Sequence, residues 1–599
     1  MNPSRNKPYK ARKAEDTINL VRNILHDKLG ILLKETHYHG DGEFYSCRIN
    51  IANCNINNLN IGTNGKGMSF EYALASAYGE FMERIQNQML VMYRSCTQLL
   101  FSNTNNELFN TIKEKDILLK YAYAPDEKQV SLDTMMSLVK KIVKEDDIEA
   151  IKKFFDNQPL TVIPFFNIKN KQIEYIPMGL VISTCTSNGM CAGNTPQEAI
   201  IQGMSEIIER FIIRKIYYEN FSFPDIPIEY FKGTDIAFKI KKIQDKYHNL
   251  SFHIKDCSCD LGFPAIGVLI IDYKNMEYLF HLGVDPSPIT ALERTLTEIY
   301  QGHFKLKLKK IDWVLQHNLL RDFSLKESEM FRTCTSGVGQ FPLSLLYGDA
   351  TYLFSGFDST WATSDEQDLK KMLSIFEKLN AEVFIRDVSF LGFPAYYVYV
   401  PGMSETRKLS IVQNQTMKKA YATSRNLGHS NNSEIKVFLD FIEKDSLIAF
   451  SNLKFYNSND LFSRYNKNLI LSLLHYSVGN FDLAVNYIDT YIIEGNLDSK
   501  SHYFFSCIKC IMQSKLYQID ETLLQKAYSP KMLKVCFDFL KDRNFLRYLS
   551  HSNCFNCSQC GIKNSCQIID ILSIAKKLEH VYEDNLPDQN GLKNIFSDD

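Results

Sequence analysis

Two stretches decide how this chain reads: NGKGMSFEYALASAYGEFMER, Asn64 to Arg84, and SNGMCAGNTPQEAIIQGMSEIIER, Ser187 to Arg210. Laid over each other at a constant offset, they pair Gly67 with Gly193, Ala73 with Ala199, Glu80 with Glu206, Glu83 with Glu209 and Arg84 with Arg210. Identities in fixed register mark an internal repeat. In each copy a glycine-containing loop is expected to lead into a helix with ExxER on its third turn.

Alone, an ExxER is ordinarily an intrahelical ion pair worth a few tenths of a kcal/mol on an exposed face. The second copy argues otherwise. Glu198, Gln202, Glu206 and Glu209 form one polar stripe, while Ala199, Ile200, Ile201, Met204, Ile207, Ile208, Phe211, Ile212 and Ile213 fill nearly every other face. Such a helix is read as largely buried, and carboxylates carried into a core need a cation. Two arginines do not neutralise Glu80, Glu83, Glu198, Glu206 and Glu209, so the missing charge is most simply a metal ion. All-oxygen ligands point to a hard ion, and magnesium held by carboxylates on one side and phosphates on the other is its usual nucleotide arrangement. The expectation is an Mg-nucleotide site between two symmetry-related helices, with Arg84 or Arg210 on phosphate oxygens and loop NH groups facing the ligand. NGKG lacks the GxxxxGK[ST] spacing, which argues against a P-loop fold.

A chain of 599 residues is too long for one core and implies two or three domains. With 45% hydrophobic and 23% charged residues it reads as globular rather than disordered. Its 69 acidic and 68 basic residues leave no global field to gather nucleic acid or a membrane surface, so neither is an expected partner. The charged start MNPSRNKPYKARK opens no signal peptide and no apolar run is long enough to cross a bilayer, so a cytoplasmic location is expected. Fifteen cysteines spread over such a chain favour reduced thiols.

Through about residue 405 strand-like and helix-like segments alternate. FYSCRINIA, TVIPFFNI, EYIPMGLVI, FPAIGVLIIDY, EYLFHLGVD, AEVFIRDV and AYYVYVPGM read as strands. Helical patterns lie near 70–95, 196–219, 288–302 and 364–379. Short turns such as the one in LIIDYKNMEYLF imply an α+β fold with mostly antiparallel sheets. Beyond, the strand signals fade, and HYSVGNFDLAVNYIDTYI suggests a tetratricopeptide-like helical hairpin. The division expected is 1–405 for a catalytic domain, 406–550 for an all-helical domain, 551–585 for a cysteine cluster and terminal helix, and 586–599 for a flexible tail.

NGKG followed by ASAYGEFMER, then SNGMCAGNT followed by EAIIQGMSEIIER, resembles the YcaO family of ATP-dependent amide-activating enzymes. The resemblance continues through ALERTLTEIYQG (Ala291 to Gly302), GFPAIGVLIIDY and YVPGMSE, and covers about two thirds of the chain. It implies a pseudo-symmetric YcaO-type domain followed by a tetratricopeptide-like extension, as in the long free-standing members. It also implies that Glu80, Glu83, Glu206 and Glu209 bind magnesium, with Glu198 close by. Ser76, Asn194, Arg210 and Arg294 would contact ATP, and Lys10 and Thr17 would close over it. For Lys10 a solvated basic tail, and for Arg294 an ion pair with Glu298, are equal alternatives. Family chemistry implies that ATP phosphorylates the oxygen of a backbone amide after a nucleophile adds to its carbonyl. A peptide or ribosomal-protein substrate, and a methylthiotransferase or peptide-biosynthesis partner, are the expected associates; a homodimer is left open. The end QNGLKNIFSDD has no proline-rich PxPxP tail of the kind usual in azoline-forming members, which counts against azoline formation and leaves azoline, thioamide and methylthio products open.

Cys185 and Cys191 have no evident partner base and read as buried, inert thiols. HSNCFNCSQCGIKNSC places Cys554, Cys557, Cys560 and Cys566 close enough to converge on an iron-sulfur cluster or a zinc ion, with the choice open. Cys507 and Cys510 lie in a helical pattern where packing is the expected role. Two rival functions accompany the leading one: a nucleotide-binding accessory protein for a methylthiotransferase without turnover of its own, and an iron-sulfur redox protein.

Overall fold

The computed structural model describes residues 10–53, 61–90, 124–143, 145–155, 159–219, 221–337, 339–408, 423, 427–444, 467–494, 497–543, 545–546 and 568–596. They fall into two compact units, one holding residues through 95 with Leu118–Leu409 and Leu572–Asp599, the other holding Ser410–Ile571.

In the first unit the strands run β1 (Leu33–Gly40), β2 (Phe44–Ile51), β3 (Gly62–Gly67), β4 (Lys128–Val130), β5 (Leu160–Asn167), β6 (Gln172–Ile176) and β7 (Met190–Ala192). They continue with β8 (Ser251–Asp256), β9 (Ala265–Asp272), β10 (Glu277–Val284), β11 (Lys309–Lys310), β12 (Phe384–Asp387) and β13 (Ala395–Tyr399). Three sheets result, ordered β1-β2-β3, β11-β10-β9-β8 and β4-β5-β12-β13-β7, with β6 beside β5. Every strand pairing among the described residues is antiparallel, as the short turns require. β5 and β9 are buried along their whole length, which explains why they read as continuous apolar runs rather than alternating ones.

The repeated stretches become one local design. β3 turns at Ser69 into a helix Phe70–Gln86, and the Ser69 hydroxyl accepts from the Tyr72 NH. β7 leads through Thr195, whose hydroxyl accepts from the Glu198 NH, into the helix Pro196–Glu219. A third copy, not recognised in the sequence, follows β10: Ser287 caps the helix Pro288–Ile299 through the Thr290 NH. At the register that aligns Ser69, Thr195 and Ser287, Ala73 meets Ala199 and Ala291, and Glu80 meets Glu206 and Glu298. Small residues let each helix lie on its strand. A Cβ on Gly65 would stand 2.1 Å from the Ala73 carbonyl oxygen, and one on Gly193 would stand 2.8 Å from the Ala199 nitrogen. Each helix also packs against the strand of the next copy: the first on β7, the second on β10, the third on β3. The three units thus close a ring, and the three glutamate positions lie around it.

Three expectations need correction. NGKG is not a loop but the end of β3, because Gly65 and Gly67 serve helix packing rather than a turn. EYIPMGLVI is a strand only through Ile176; Pro177 ends it, and Met178–Cys185 is a short helix buried along nearly all its length. A brief apolar run buried on all sides carries no period to separate helix from strand. The segment expected to be a flexible tail is docked over Gln589–Ile595: the buried Gln589 side chain donates to the Asp387 carbonyl and accepts from the Asp387 NH, and Leu592 is buried. The helix Ile568–Asp584 joins the first unit through Tyr582, which accepts a 2.9 Å hydrogen bond from buried Arg386.

The second unit is helical, with its own core. Helices Lys467–Ser477 and Phe481–Glu494 form a hairpin in which Ala484 is buried and its carbonyl accepts from the Ser472 hydroxyl at 2.7 Å. Cys507 is buried in the helix Ser499–Tyr517, in keeping with a packing role. Cys554, Cys557, Cys560 and Cys566 lie outside the described residues. Among the described residues, no helix is long and apolar enough to cross a membrane.

The strand-helix contact makes a testable demand. Gly65→Ala is expected to lower stability by about 1–3 kcal/mol, since its methyl overlaps helix backbone. Gly79→Ala, where a Cβ meets nothing within 4 Å, should be neutral or stabilising. Urea midpoints of the two variants check this, and an unchanged midpoint for Gly65→Ala would contradict the packing argument.

Candidate functional site

The ring of three helices encloses a cavity of about 930 Å³. Every site residue singled out in the sequence of the first unit lines it: Glu80, Glu83, Glu206 and Glu209, with Ser76, Asn194, Glu198, Arg210 and Arg294, and Lys10 and Thr17 from the N-terminal segment. Arg84 and Gln202 line it too. Helical spacing explains the grouping, because residues three and four apart share a face and the ring turns that face inward.

Each arginine straddles the two glutamates of its own helix. Arg84 Nη2 lies 3.3 Å from Glu80 Oε1 and its Nε lies 3.3 Å from Glu83 Oε1. Arg210 Nη1 donates to Glu209 Oε1 at 2.9 Å, and its Nη2 is 3.6 Å from Glu206 Oε1. Both guanidiniums are thus ion-paired with carboxylates of their own helix. The two helices by themselves carry four carboxylates and two guanidiniums, and Lys66 and Arg294 bring further positive charge to the same wall. Burial raises the Glu83 carboxyl well above the usual range, opposed by Arg84 and reinforced by Glu206 and Glu80. Glu206 is raised for the same first reason, opposed by Arg210 and Arg84. Glu83 Oε1, though near Arg84, accepts no hydrogen bond. A buried carboxylate oxygen without a donor is costly, and a divalent cation would satisfy it.

The donor set fits magnesium. It is all oxygen, and its net charge calls for a divalent ion. Among the described residues no three acidic, imidazole or thiol groups converge tightly enough to hold an ion alone.

At one side of the cavity the N-terminal segment is tied across the second helix. Lys10 Nζ lies 3.3 Å from Glu198 Oε1, the Ala11 NH donates to Glu198 Oε2 at 3.1 Å, and the Thr17 hydroxyl donates to Asn194 Oδ1 at 2.7 Å. Lys10 is thus ion-paired at the cavity rather than part of a solvated tail. Arg294 pairs with Gln202 rather than with Glu298, and its Nε has no hydrogen-bond partner.

Sequence reasoning missed several cavity residues. Lys66, from the NGKG stretch, points inward because Gly65 and Gly67 take the helix-facing positions of β3. Strict alternation within GTNGKG was the available signal. Lys66 pairs with Glu298, the third-helix counterpart of Glu80 and Glu206. Burial, with Arg294 adding to it, pulls the Lys66 ammonium down to about 8. His281 of β10 lines the cavity near Lys309, and burial with Lys309, Lys66 and Arg210 pushes its imidazole down to about 3, so it is neutral. Cys185 and Cys191 are buried, with thiols pushed up by burial. Cys334, at the cavity wall, is held protonated by burial at about 11.

Comparison with known proteins follows this geometry. A family model described as YcaO cyclodehydratase, ATP- and Mg²⁺-binding, matches residues 64–404, more than half of the chain. An uncharacterized protein of Haemophilus influenzae is 28% identical over 348 residues, which are 57% of each chain. The ribosomal protein S12 methylthiotransferase accessory factor YcaO of Escherichia coli is 28% identical over 409 residues, 66% of each chain. The matched region thus spans somewhat less than two thirds of each relative. A YcaO structure from Methanopyrus kandleri, bound with AMPPCP and Mg²⁺, superposes with a TM-score of 0.41 at 15% identity, over 66% of this chain and 92% of its own.

The raised carboxyls yield a pH test. A carboxyl raised in the folded state destabilises the protein fully above its folded pKa, and that cost disappears as pH falls through it. Glu83→Gln removes the cost, so the variant should melt higher than wild type at pH 8 without metal. The advantage should shrink toward pH 5 as wild-type Glu83 takes up its proton. Thermal melts across that range check this; a variant no more stable at pH 8 would contradict it.

Proposed function

The chain belongs to the YcaO family, and from that premise we propose that it uses Mg-ATP to activate a backbone amide of a peptide or protein by phosphorylating the amide oxygen. One observation carries the reading: two ExxER helices bring four carboxylates to one cavity, each pair straddled by the arginine of its own helix. Glu80, Glu83, Glu206 and Glu209 would hold magnesium, and each arginine keeps its two glutamates aimed inward. Lys10, Thr17, Asn194 and Glu198 lace the N-terminal segment over the cavity, which positions the nucleotide and limits water. Ser76 and Arg294 line the same wall and would contact the nucleotide.

Mg-ATP, when bound, supplies the phosphoryl group that the amide oxygen receives after a nucleophile has added to its carbonyl carbon. This chain's part is alignment and electrostatics. Cys185, Cys191 and Cys334 are kept protonated, so none of them offers a thiolate and the nucleophile belongs to the substrate or a co-substrate. The printed name of the Escherichia coli relative, an accessory factor to modification of a ribosomal protein, supports a protein substrate or a protein partner here. The helical second unit would serve docking of that partner.

The test follows the oxygen. With a candidate peptide carrying oxygen-18 in the reacting amide carbonyl, ATP turnover should release phosphate that contains the label. ATP hydrolysis yielding only unlabelled phosphate in the presence of modified peptide would overturn amide O-phosphorylation.

A further inference from the structure

The cations around the cavity are not equally available to a ligand. Arg84 and Arg210 are each held by two glutamates of their own helix, Lys10 by Glu198 and Arg294 by Gln202. Lys66 differs in its setting. It rises from β3, and the glycines on either side pin that strand against helix backbone, so its Cα has little freedom. Its partner, Glu298, belongs to the third helix, while Glu80 of the first and Glu209 of the second lie within electrostatic reach. Lys66 therefore faces the cavity within reach of both ExxER helices, with Glu298 as its counter-ion.

Phosphate oxygens of a nucleotide whose magnesium was held by Glu80, Glu83, Glu206 and Glu209 would come within reach of this side chain, and phosphoryl transfer gathers negative charge on those oxygens. A lysine there acts as a compact point charge with three donors and needs no fixed fork geometry. Resting on the nucleotide reading above, we propose that Lys66 reads the terminal phosphoryl group of the nucleotide, exchanging Glu298 for phosphate oxygens when the triphosphate binds. ADP, lacking that group, leaves the Lys66–Glu298 pair in place. The pair thus distinguishes the charged substrate from the spent product.

The experiment is calorimetric titration of the full chain, in magnesium, with a non-hydrolysable ATP analogue and separately with ADP. Wild type should prefer the analogue by about tenfold or more, the worth of a charge-assisted hydrogen bond. Lys66→Met should bring the two affinities together by weakening the analogue alone, and Lys66→Arg should keep part of the preference. Because Lys66→Met strands Glu298, the double variant with Glu298→Gln carries the same expectation without an orphan charge. A retained preference in both Met variants, or an equal loss for analogue and ADP, would overturn the assignment while leaving the nucleotide site intact. Wild type that binds neither would overturn the nucleotide reading and this inference with it.

Discussion

Buried carboxylates gathered on one cavity wall are the constraint on which this structure turns. A buried glutamate is tolerated when a guanidinium meets it, and Arg84 and Arg210 each meet two. The cost of burial that remains shows in the raised Glu83 and Glu206 carboxyls and in the unbonded Glu83 oxygen. A core under pressure only to be stable would have replaced these groups with apolar ones of similar volume. Their presence, facing a cavity large enough for a nucleotide and more, turns a stability cost into affinity for a cation.

The ring of strand-helix units is what places that charge. Backbone contact at Gly65, Gly67 and Gly193 fixes each helix on its strand to within the width of a methyl group. Hydroxyl caps at Ser69, Thr195 and Ser287 then set where each helix begins, and so which residues fall on its inner face three turns later. Position within the unit decides chemistry: Ser76, Gln202 and Arg294 share one register, and Glu80, Glu206 and Glu298 share another. The first two copies set their glutamate beside the arginine of their own helix, while the third turns its glutamate toward Lys66.

Much of this was legible in the residues, and the exceptions have physical causes. ExxER at fixed register, inside otherwise apolar helices, was enough to group eight cavity residues. Long amphipathic helices such as Pro196–Glu219 kept their sequence boundaries because period and capping agreed. EYIPMGLVI failed because burial on all sides erases periodicity. The third unit escaped notice because its motif reads ExxQG, Glu298 to Gly302, with only the cap, Ala291 and Glu298 in common with the others. Lys66 was visible as a residue and hidden as a function, since glycines on both sides suggested a loop rather than an alternating strand. The docking of Gln589–Ile595 rests on a single buried glutamine and a few apolar contacts, too sparse a pattern to separate from a tail.

The central claim is that the glutamate helices form one magnesium-dependent nucleotide site. Calorimetric titration of ATP, with and without magnesium, into wild type and Glu209→Gln tests it most directly. The account predicts binding by wild type that requires magnesium and is lost in the folded variant. Binding that persists without magnesium, or equally in Glu209→Gln, would contradict it.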